Sequence, residues 1–201
     1  MKANVMYAVV AGLVLMTALA EAQEKAAPDL VTRVCATCHG QRGISTSPMF
    51  PYLAGQQAVY LEIQLKAFRD RSRADPHAQA FMWGMAAQLT DAAITEIAAY
   101  YAAQRPAPGK TAGREETAAG KKIFEEGMPA QQVPPCQSCH GDKAAGNGPF
   151  PRLAGQHRPY LERQLAAFIS NARANEIMHE NSKNLSALQI SQIAAFLSAQ
   201  R

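Results

Sequence analysis

Two copies of the motif C-x-x-C-H constrain this chain more than any other feature of its 201 residues. One copy ends at His39 and the other at His140, and together they use all four cysteines. Two cysteines separated by two residues can form thioether bonds to the two vinyl groups of one haem, and the histidine that follows becomes a ligand of the iron. The sequence therefore predicts two covalent haem c groups, held by Cys35, Cys38, Cys136 and Cys139, with His39 and His140 as iron ligands.

The same cysteines have two alternative uses. C-x-x-C pairs also bind zinc, and an exported protein meets an oxidising compartment in which disulfides form. A histidine follows both cysteine pairs directly, and the sequence downstream of the motifs is repeated as well. Both features favour haem attachment.

An internal repeat divides the chain. The run F-P-Y-L-A-G-Q at residues 50–56 returns as F-P-R-L-A-G-Q at residues 150–156, and Arg73-Ala74 returns as Arg173-Ala174. The offset is 100 residues there and 96 at the ends, where Ile97 matches Ile193, so one short deletion separates the copies. We therefore predict a signal peptide at 1–22, a first domain at 23–105, a linker rich in proline and glycine at 106–114 and a second domain at 115–201.

Helical patterns dominate both copies. A middle helix is expected at about 57–69 and again at about 159–171, and the last helix of each copy has an N-cap signal, at Thr90 and at Ser186 with Gln189. Gly120 and Phe124 share a helix face, where the small residue allows another helix to approach closely. No stretch alternates as a strand does, so the predicted fold class is all-α, with each small core enlarged by its haem.

The first residues resemble an export signal. Lys2 precedes an apolar run at 5–20 that is short for a membrane span, and an A-x-A cleavage pattern ends at Ala22, with an alternative ending at Ala20. An uncleaved membrane anchor is the competing interpretation. We expect an exported protein.

Methionine is the expected second axial ligand, because its thioether favours reduced iron and raises the potential. Met82 and Met178 occupy equivalent positions, each seven residues before a leucine that precedes the last helix, whereas Met85 aligns with Asn181. We therefore predict Met82 and Met178 as ligands, with Met85 as the rival in the first copy. His179 is the alternative ligand in the second copy, although Trp83 occupies the equivalent position of the first.

Two further predictions concern residues near the irons. The carbonyl groups of Pro51 and Pro151 are placed to accept a hydrogen bond from His39 and His140, which would fix the ring orientation. His77 and His157 are expected to be surface histidines, solvated or hydrogen-bonded, rather than ligands.

These motifs resemble those of class I c-type cytochromes, and the tandem arrangement is similar to the dihaem cytochrome c4 family. The resemblance rests on both C-x-x-C-H motifs, the repeated F-P-x-L-A-G-Q and a methionine before each terminal helix. It implies two tandem class I cytochrome c domains, a periplasmic location, and transfer of single electrons from a quinol-oxidising complex to a terminal oxidase. The polar loop after Met178 departs from the apolar run around Met82 and predicts unequal haem environments.

Several functions are compatible with this pattern. The first is an electron carrier that is not itself an enzyme, and its runner-up is the dihaem subunit of a flavin-dependent sulfide dehydrogenase. A dihaem peroxidase would need an iron with an open or releasable distal site. A formal charge of +4 without a dense basic run argues against nucleic acid as a partner. The resemblance implies redox proteins as partners, namely a quinol-oxidising complex, a terminal oxidase or a flavoprotein dehydrogenase, and a peripheral association with the membrane stays open.

Overall fold

The computed structural model describes residues 28–201, so the predicted signal peptide at 1–22 lies outside the described residues. Every regular element in the described range is helical, and the only β-type pairings there are two isolated bridges, Met128 with Val133 and Asn147 with Phe150. The predicted all-α class is confirmed. None of the helices in this range is long and apolar enough to span a membrane.

The first half of the described chain, residues 28–105, contains the first C-x-x-C-H motif and six short or medium helical elements. In chain order they are a π-helical turn Val31–Cys35, α1 (Ala36–His39), α2 (Ala58–Arg69), a second π-helical turn Ala78–Met82, α3 (Trp83–Ala86) and α4 (Asp91–Ala102).

The elements of residues 106–201 are α5 (Arg114–Glu126), a 3₁₀ turn Pro129–Gln131, α6 (Gln137–His140), α7 (Arg158–Ile169), α8 (Glu176–Ser182) and α9 (Ala187–Ala199). The helices α6, α7 and α9 match α1, α2 and α4, and the single helix α8 stands in place of the second π-helical turn and α3. Both middle helices lie within one or two residues of their predicted starts and ends.

Side chains define where the last helix of each half begins. The Thr90 hydroxyl accepts a hydrogen bond from the backbone N–H of Ala93 at 3.2 Å. Ser186 and Gln189 form a complete capping box, in which each side chain binds the backbone of the other. These contacts satisfy N–H groups that the first helical turn leaves without a partner, and they confirm both predicted N-caps.

The core of the second half is built on the crossing of α5 and α9. An added Cβ at Gly120 would lie 1.9 Å from the carbonyl oxygen of Gln192, so the helices touch backbone to backbone at this point. One turn later, the rings of Phe124 and Phe196 pack with their centroids 5.5 Å apart. Only glycine permits so close an approach, which confirms the packing role predicted for Gly120.

The first half has two adjoining cores. One joins α2 and α4 through Leu61, Ile97 and Tyr101, and the other places Phe68 on α2 against Ala78 and Ala86. Met82 and Trp83 pack against the second core.

The stretch between α4 and α5 contacts both halves. Ala107 is buried, an added Cβ at Gly55 would meet the ring of Pro106, and one at Gly109 would meet the carbonyl of Ala199. The halves are therefore closely packed through this segment.

Candidate functional sites

Both motif histidines are buried at the end of a short helix and are held in the same way. The Nδ1 atom of His39 lies 2.9 Å from the carbonyl oxygen of Pro51, and Nδ1 of His140 lies 3.0 Å from that of Pro151. The carbonyl can only accept, so Nδ1 carries the proton and Nε2 is the nitrogen available to a metal. Burial lowers the pKa of both rings, which outweighs the opposing effect of the carbonyl, and neutral imidazole is the form that binds iron.

A cavity of about 900 Å³, including its open mouth, lies against His39 in the first half. Its walls include Cys35 and Met82 and the apolar side chains of Leu61 and Phe68. A mostly apolar cavity with a few polar groups is the usual form of a cofactor site. The cavity therefore brings together one predicted attachment residue, Cys35, the motif histidine His39 and the predicted second ligand Met82.

The polar part of this cavity carries cationic groups. Arg73 and Arg163 line it, and the buried Nε of Arg163 and Nδ1 of His77 have no hydrogen-bond partner within the described residues. Haem has an apolar ring and two propionate carboxylates, so apolar walls that end near the unpartnered Nε of Arg163 fit it. Met49 also lines this cavity.

The two candidate methionines of the first half, Met82 and Met85, differ in burial and in their position relative to the cavity. Met82 is partly buried and lines the cavity together with His39, whereas Met85 is 56% exposed and is absent from the cavity lining. The Nε1 atom of Trp83 donates to the carbonyl of Arg73 at 2.8 Å and holds the helical segment against the cavity wall. These positions favour Met82 as the ligand.

In the second half, Met178 lies half-buried in the first turn of α8, where its backbone N–H donates to the side chain of Asn175 at 2.9 Å. The Nδ1 atom of His179 lies 2.9 Å from the carbonyl of Phe168 on α7. At the equivalent position of the first half, Trp83 also donates to a backbone carbonyl, that of Arg73, so each side chain anchors its own helical segment. Met178 remains our predicted ligand.

The cysteines lie beside the histidines. Burial raises the pKa of the Cys35 thiol and raises that of Cys136 to about 11. No group of three or more His, Cys, Asp or Glu side chains suited to a metal ion occurs in residues 28–201, and no disulfide joins the four cysteines.

Two buried arginines join the halves at the edge of the first cavity. Arg73 donates to Gln64 at 2.7 Å and across the interface to Gln164 at 2.8 Å, while Arg173 donates to Gln164 at 2.6 Å and across to Gln64 at 2.8 Å. Arg173 also donates to the hydroxyl of Tyr60 at 2.8 Å. We call Arg73, Arg173, Gln64, Gln164 and Tyr60 the interdomain arginine cluster.

Sequence reasoning found Arg73 and Arg173 only as a repeated pair and gave them no role. A repeat that keeps an arginine and a glutamine nine residues apart in both copies was the available signal.

The prediction that His157 is a surface residue is wrong. It is 2% exposed and lies between the halves, with its ring 3.9 Å from that of Tyr52 and its Nε2 2.9 Å from the Ser45 hydroxyl. Burial, with the charge of Lys110 in second place, lowers its pKa to about 4. The expectation failed because the residues that cover His157 come from the other copy of the repeat. His77 is half-exposed, but it lines the first cavity and its Nδ1 is buried, so the prediction of a solvated or hydrogen-bonded surface residue is only partly met.

Comparison with known proteins agrees with this geometry. The family model described as cytochrome c matches residues 25–103 and again residues 117–200. The chain is 43% identical over 86% of its length, and 76% of the relative's, to cytochrome c-552 of Acidithiobacillus ferridurans. It is 37% identical to cytochrome c4 of Thiocapsa roseopersicina, over 82% of this chain and 85% of that protein.

A solved structure is similar as well. Cytochrome c4 of Acidithiobacillus ferrooxidans superposes with a TM-score of 0.79 at 42% identity, covering 82% of this chain and 98% of that one. A further relative, named a thiosulfate dehydrogenase electron acceptor, from Thiomonas intermedia, is 34% identical over 83% of this chain and 78% of its own length. Two matched domains with a C-x-x-C-H motif in each imply two covalently bound haem c groups.

Proposed function

Because this chain belongs to the cytochrome c4 family of dihaem electron carriers, we propose that it works in the periplasm, taking single electrons from a quinol-oxidising complex and passing them to a terminal oxidase or another acceptor. The observation that carries this proposal is that the histidine geometry occurs twice: both halves present a motif histidine fixed through Nδ1 by a proline carbonyl. Export supports the location, since residues 1–22 have the pattern of a secretory signal.

Haem iron supplies a one-electron couple between the ferrous and ferric states. The role of the chain is to hold that iron without opening it to substrate. His39 and His140, each held in one tautomer, would ligate the iron through Nε2, and we propose Met82 and Met178 as the second protein ligands. Iron held by a histidine and a methionine in each half would leave no position for oxygen or peroxide, which would separate a carrier from a dihaem peroxidase.

Apolar packing around the first histidine favours rapid exchange of electrons. The ring of Phe50 lies edge-on to His39 with centroids 6.0 Å apart, and Phe81 packs against Phe50 at 5.4 Å. Such packing would shield a bound haem from water. Phe81 and Met49 are exposed at 39% and 45% and give this site an apolar rim, where a redox partner would dock.

A second candidate function is that of electron acceptor for a sulfur-oxidising dehydrogenase. It is favoured by the 34% identity to the thiosulfate dehydrogenase electron acceptor of Thiomonas intermedia. The same haem sites serve both functions, and only the electron donor differs. This candidate resembles the sulfide dehydrogenase subunit expected as runner-up, since both receive electrons from an enzyme that oxidises reduced sulfur.

The deciding experiment compares donors. Purified oxidised holoprotein is mixed in a stopped-flow spectrometer either with quinol and membranes that contain a quinol-oxidising complex, or with thiosulfate and a thiosulfate dehydrogenase. The growth of the ferrous haem bands is then followed. Faster reduction by the quinol-oxidising membranes, abolished by an inhibitor of that complex, supports the main proposal. Reduction only by the dehydrogenase, or a high-spin ferric spectrum at rest, contradicts it.

A further inference from the structure

One arginine of the second half lines the cavity of the first half. Arg163 belongs to α7, yet its side chain lies in the wall of the cavity beside His39. Its Nη2 donates to the carbonyl oxygens of Pro48 at 3.0 Å and of Met49 at 2.9 Å. Both carbonyls belong to the loop whose Pro51 carbonyl holds His39, so the guanidinium is fixed beside the same loop as the motif histidine.

One nitrogen of this guanidinium has no partner. The Nε atom of Arg163 is buried and makes no hydrogen bond within the described residues. A buried N–H without an acceptor destabilises the folded state, and the cost is larger when the group is charged. An acceptor inside the cavity would remove that cost, and a carboxylate is a strong partner for a guanidinium.

The other arginine of this cavity is already engaged. Each nitrogen of Arg73 donates within the protein, Nε to Asp75 at 2.9 Å, Nη1 to Gln64 at 2.7 Å and Nη2 to Gln164 at 2.8 Å. The carboxylate of Asp75 also neutralises the charge of Arg73, whereas the second copy of the repeat has Asn175 at this position. An incoming carboxylate therefore finds its unpartnered guanidinium N–H on α7 and not at Arg73.

The internal repeat shows that the helix itself does not need this arginine. The equivalent residue of α2 is Ile63, which is 45% exposed. The cavity has a second buried nitrogen without a partner, Nδ1 of His77, and its equivalent in the second copy is also an isoleucine, Ile177. The second copy thus lacks both of these donors, and the packing that the two copies share does not account for them.

We propose that Arg163 binds a propionate carboxylate of the first haem, so that the second half completes the cofactor site of the first half. The contact is a charge-assisted hydrogen bond from Nε–H to a propionate oxygen. This rests on the first half holding a haem, as in the proposed function, and it adds a residue of the other half to that site. The interface between the halves then positions the cofactor, since separation of the halves would withdraw the guanidinium.

The test is nuclear magnetic resonance spectroscopy of the ferrous holoprotein with arginine labelled by ¹⁵N. Nuclear Overhauser effects (NOEs) to Leu61, which lines the first cavity, identify the first haem, and NOEs to Leu161 in the core of the second half identify the second. The Nε–H signal of Arg163 is assigned by its absence from Arg163→Lys.

We expect NOEs from this Nε–H to the propionate methylene protons of the first haem. Arg163→Ile should displace the propionate signals of that haem and leave those of the second haem nearly unchanged. Arg163→Lys keeps a cationic donor and should displace them less. Arg33→Gln is the matched control, because it removes an arginine charge from the first half at a side chain that is 80% exposed.

A purely structural brace gives a different result. If Arg163 only joined the halves through Pro48 and Met49, Arg163→Ile would lower stability, but Nε–H would show no NOE to a propionate. The haem signals would then respond no more than in Arg33→Gln. Either observation overturns the proposal, as do NOEs to the second haem alone. A count below two haems per chain would instead contradict the carrier function.

Discussion

The side-chain amide of Gln56 makes two hydrogen bonds to the backbone of Arg152 in the other half of the molecule, accepting from its N–H at 2.6 Å and donating to its carbonyl at 2.9 Å. The repeat supplies the reciprocal pair, in which Gln156 binds both backbone groups of Tyr52 at 2.9 Å. The two domains are thus joined by a pair of amide bridges related by an approximate two-fold axis.

Removal of one bridge should weaken the interface. Gln56→Ala leaves the part-buried N–H and carbonyl of Arg152 without partners, which costs about 1–3 kcal/mol. We expect that loss in the free energy of unfolding, measured by denaturant titration with circular dichroism, and an equal loss for Gln156→Ala. Gln88→Ala, at an exposed glutamine, is the control. Equal stability of all three variants would show that the bridges contribute nothing.

Substitution by alanine should change the stability of the protein in opposite directions at two helical glycines. Gly120→Ala places a methyl group 1.9 Å from the carbonyl of Gln192 and should destabilise the protein by about 1–3 kcal/mol. Gly84→Ala, in α3, meets nothing within 4 Å and should stabilise it by about 0.5–1 kcal/mol through helix propensity. Thermal unfolding of the two variants measures both effects. A stabilised Gly120→Ala would contradict the close crossing.

His157 should make stability depend on pH. Its pKa is about 4 in the folded protein and about 6.5 in an unfolded chain, so between these values the unfolded state binds a proton that the folded state does not. Stability therefore falls as pH drops from about 6.5 to about 4, by at most about 1.4 kcal/mol per pH unit from this residue. The measurement is a series of denaturant titrations across that range.

Two variants isolate this contribution. His157→Asn should make the free energy of unfolding depend less on pH between about 6.5 and about 4. Lys110→Met removes the ammonium group that lies 3.4 Å from Nδ1 of His157, so it should raise the pKa of that ring. The pH range over which His157 lowers stability should then become narrower. Arg163 remains as a nearby cation. An unchanged slope in His157→Asn would show that other groups cause the pH dependence.

The choice of axial methionine can be tested optically. Met82→Ala should abolish the sulfur-to-iron charge-transfer band of one haem and lower its potential, because the thioether favours ferrous iron. Met85→Ala is the matched control, since Met85 is 56% exposed and absent from the cavity lining. Loss of the band in Met85→Ala and its persistence in Met82→Ala would reverse the assignment. Met178→Ala tests the second haem in the same way.

Local patterns determined much of this protein. The C-x-x-C-H motifs indicated the cofactor, the repeat indicated two similar halves, and the Thr90 and Ser186 caps marked where terminal helices begin. The carbonyls of Pro51 and Pro151 were also predicted as partners of the histidines, at spacings of 12 and 11 residues. Apart from the repeat, which is read by comparing two stretches of sequence, each of these features depends on residues close together in the chain, where stereochemistry and spacing limit the outcome.

The tertiary structure decided what happens between the halves. His157 is buried by Ser45 and Tyr52, which lie over 100 residues earlier, and Arg73 meets Gln164 across the interface 91 residues away. No local pattern encodes which faces of two similar domains meet, because burial there depends on how the whole surfaces pack. The charge difference between Asp75 and Asn175 is visible in the sequence, but only the fold places it beside the first cavity and not at the surface.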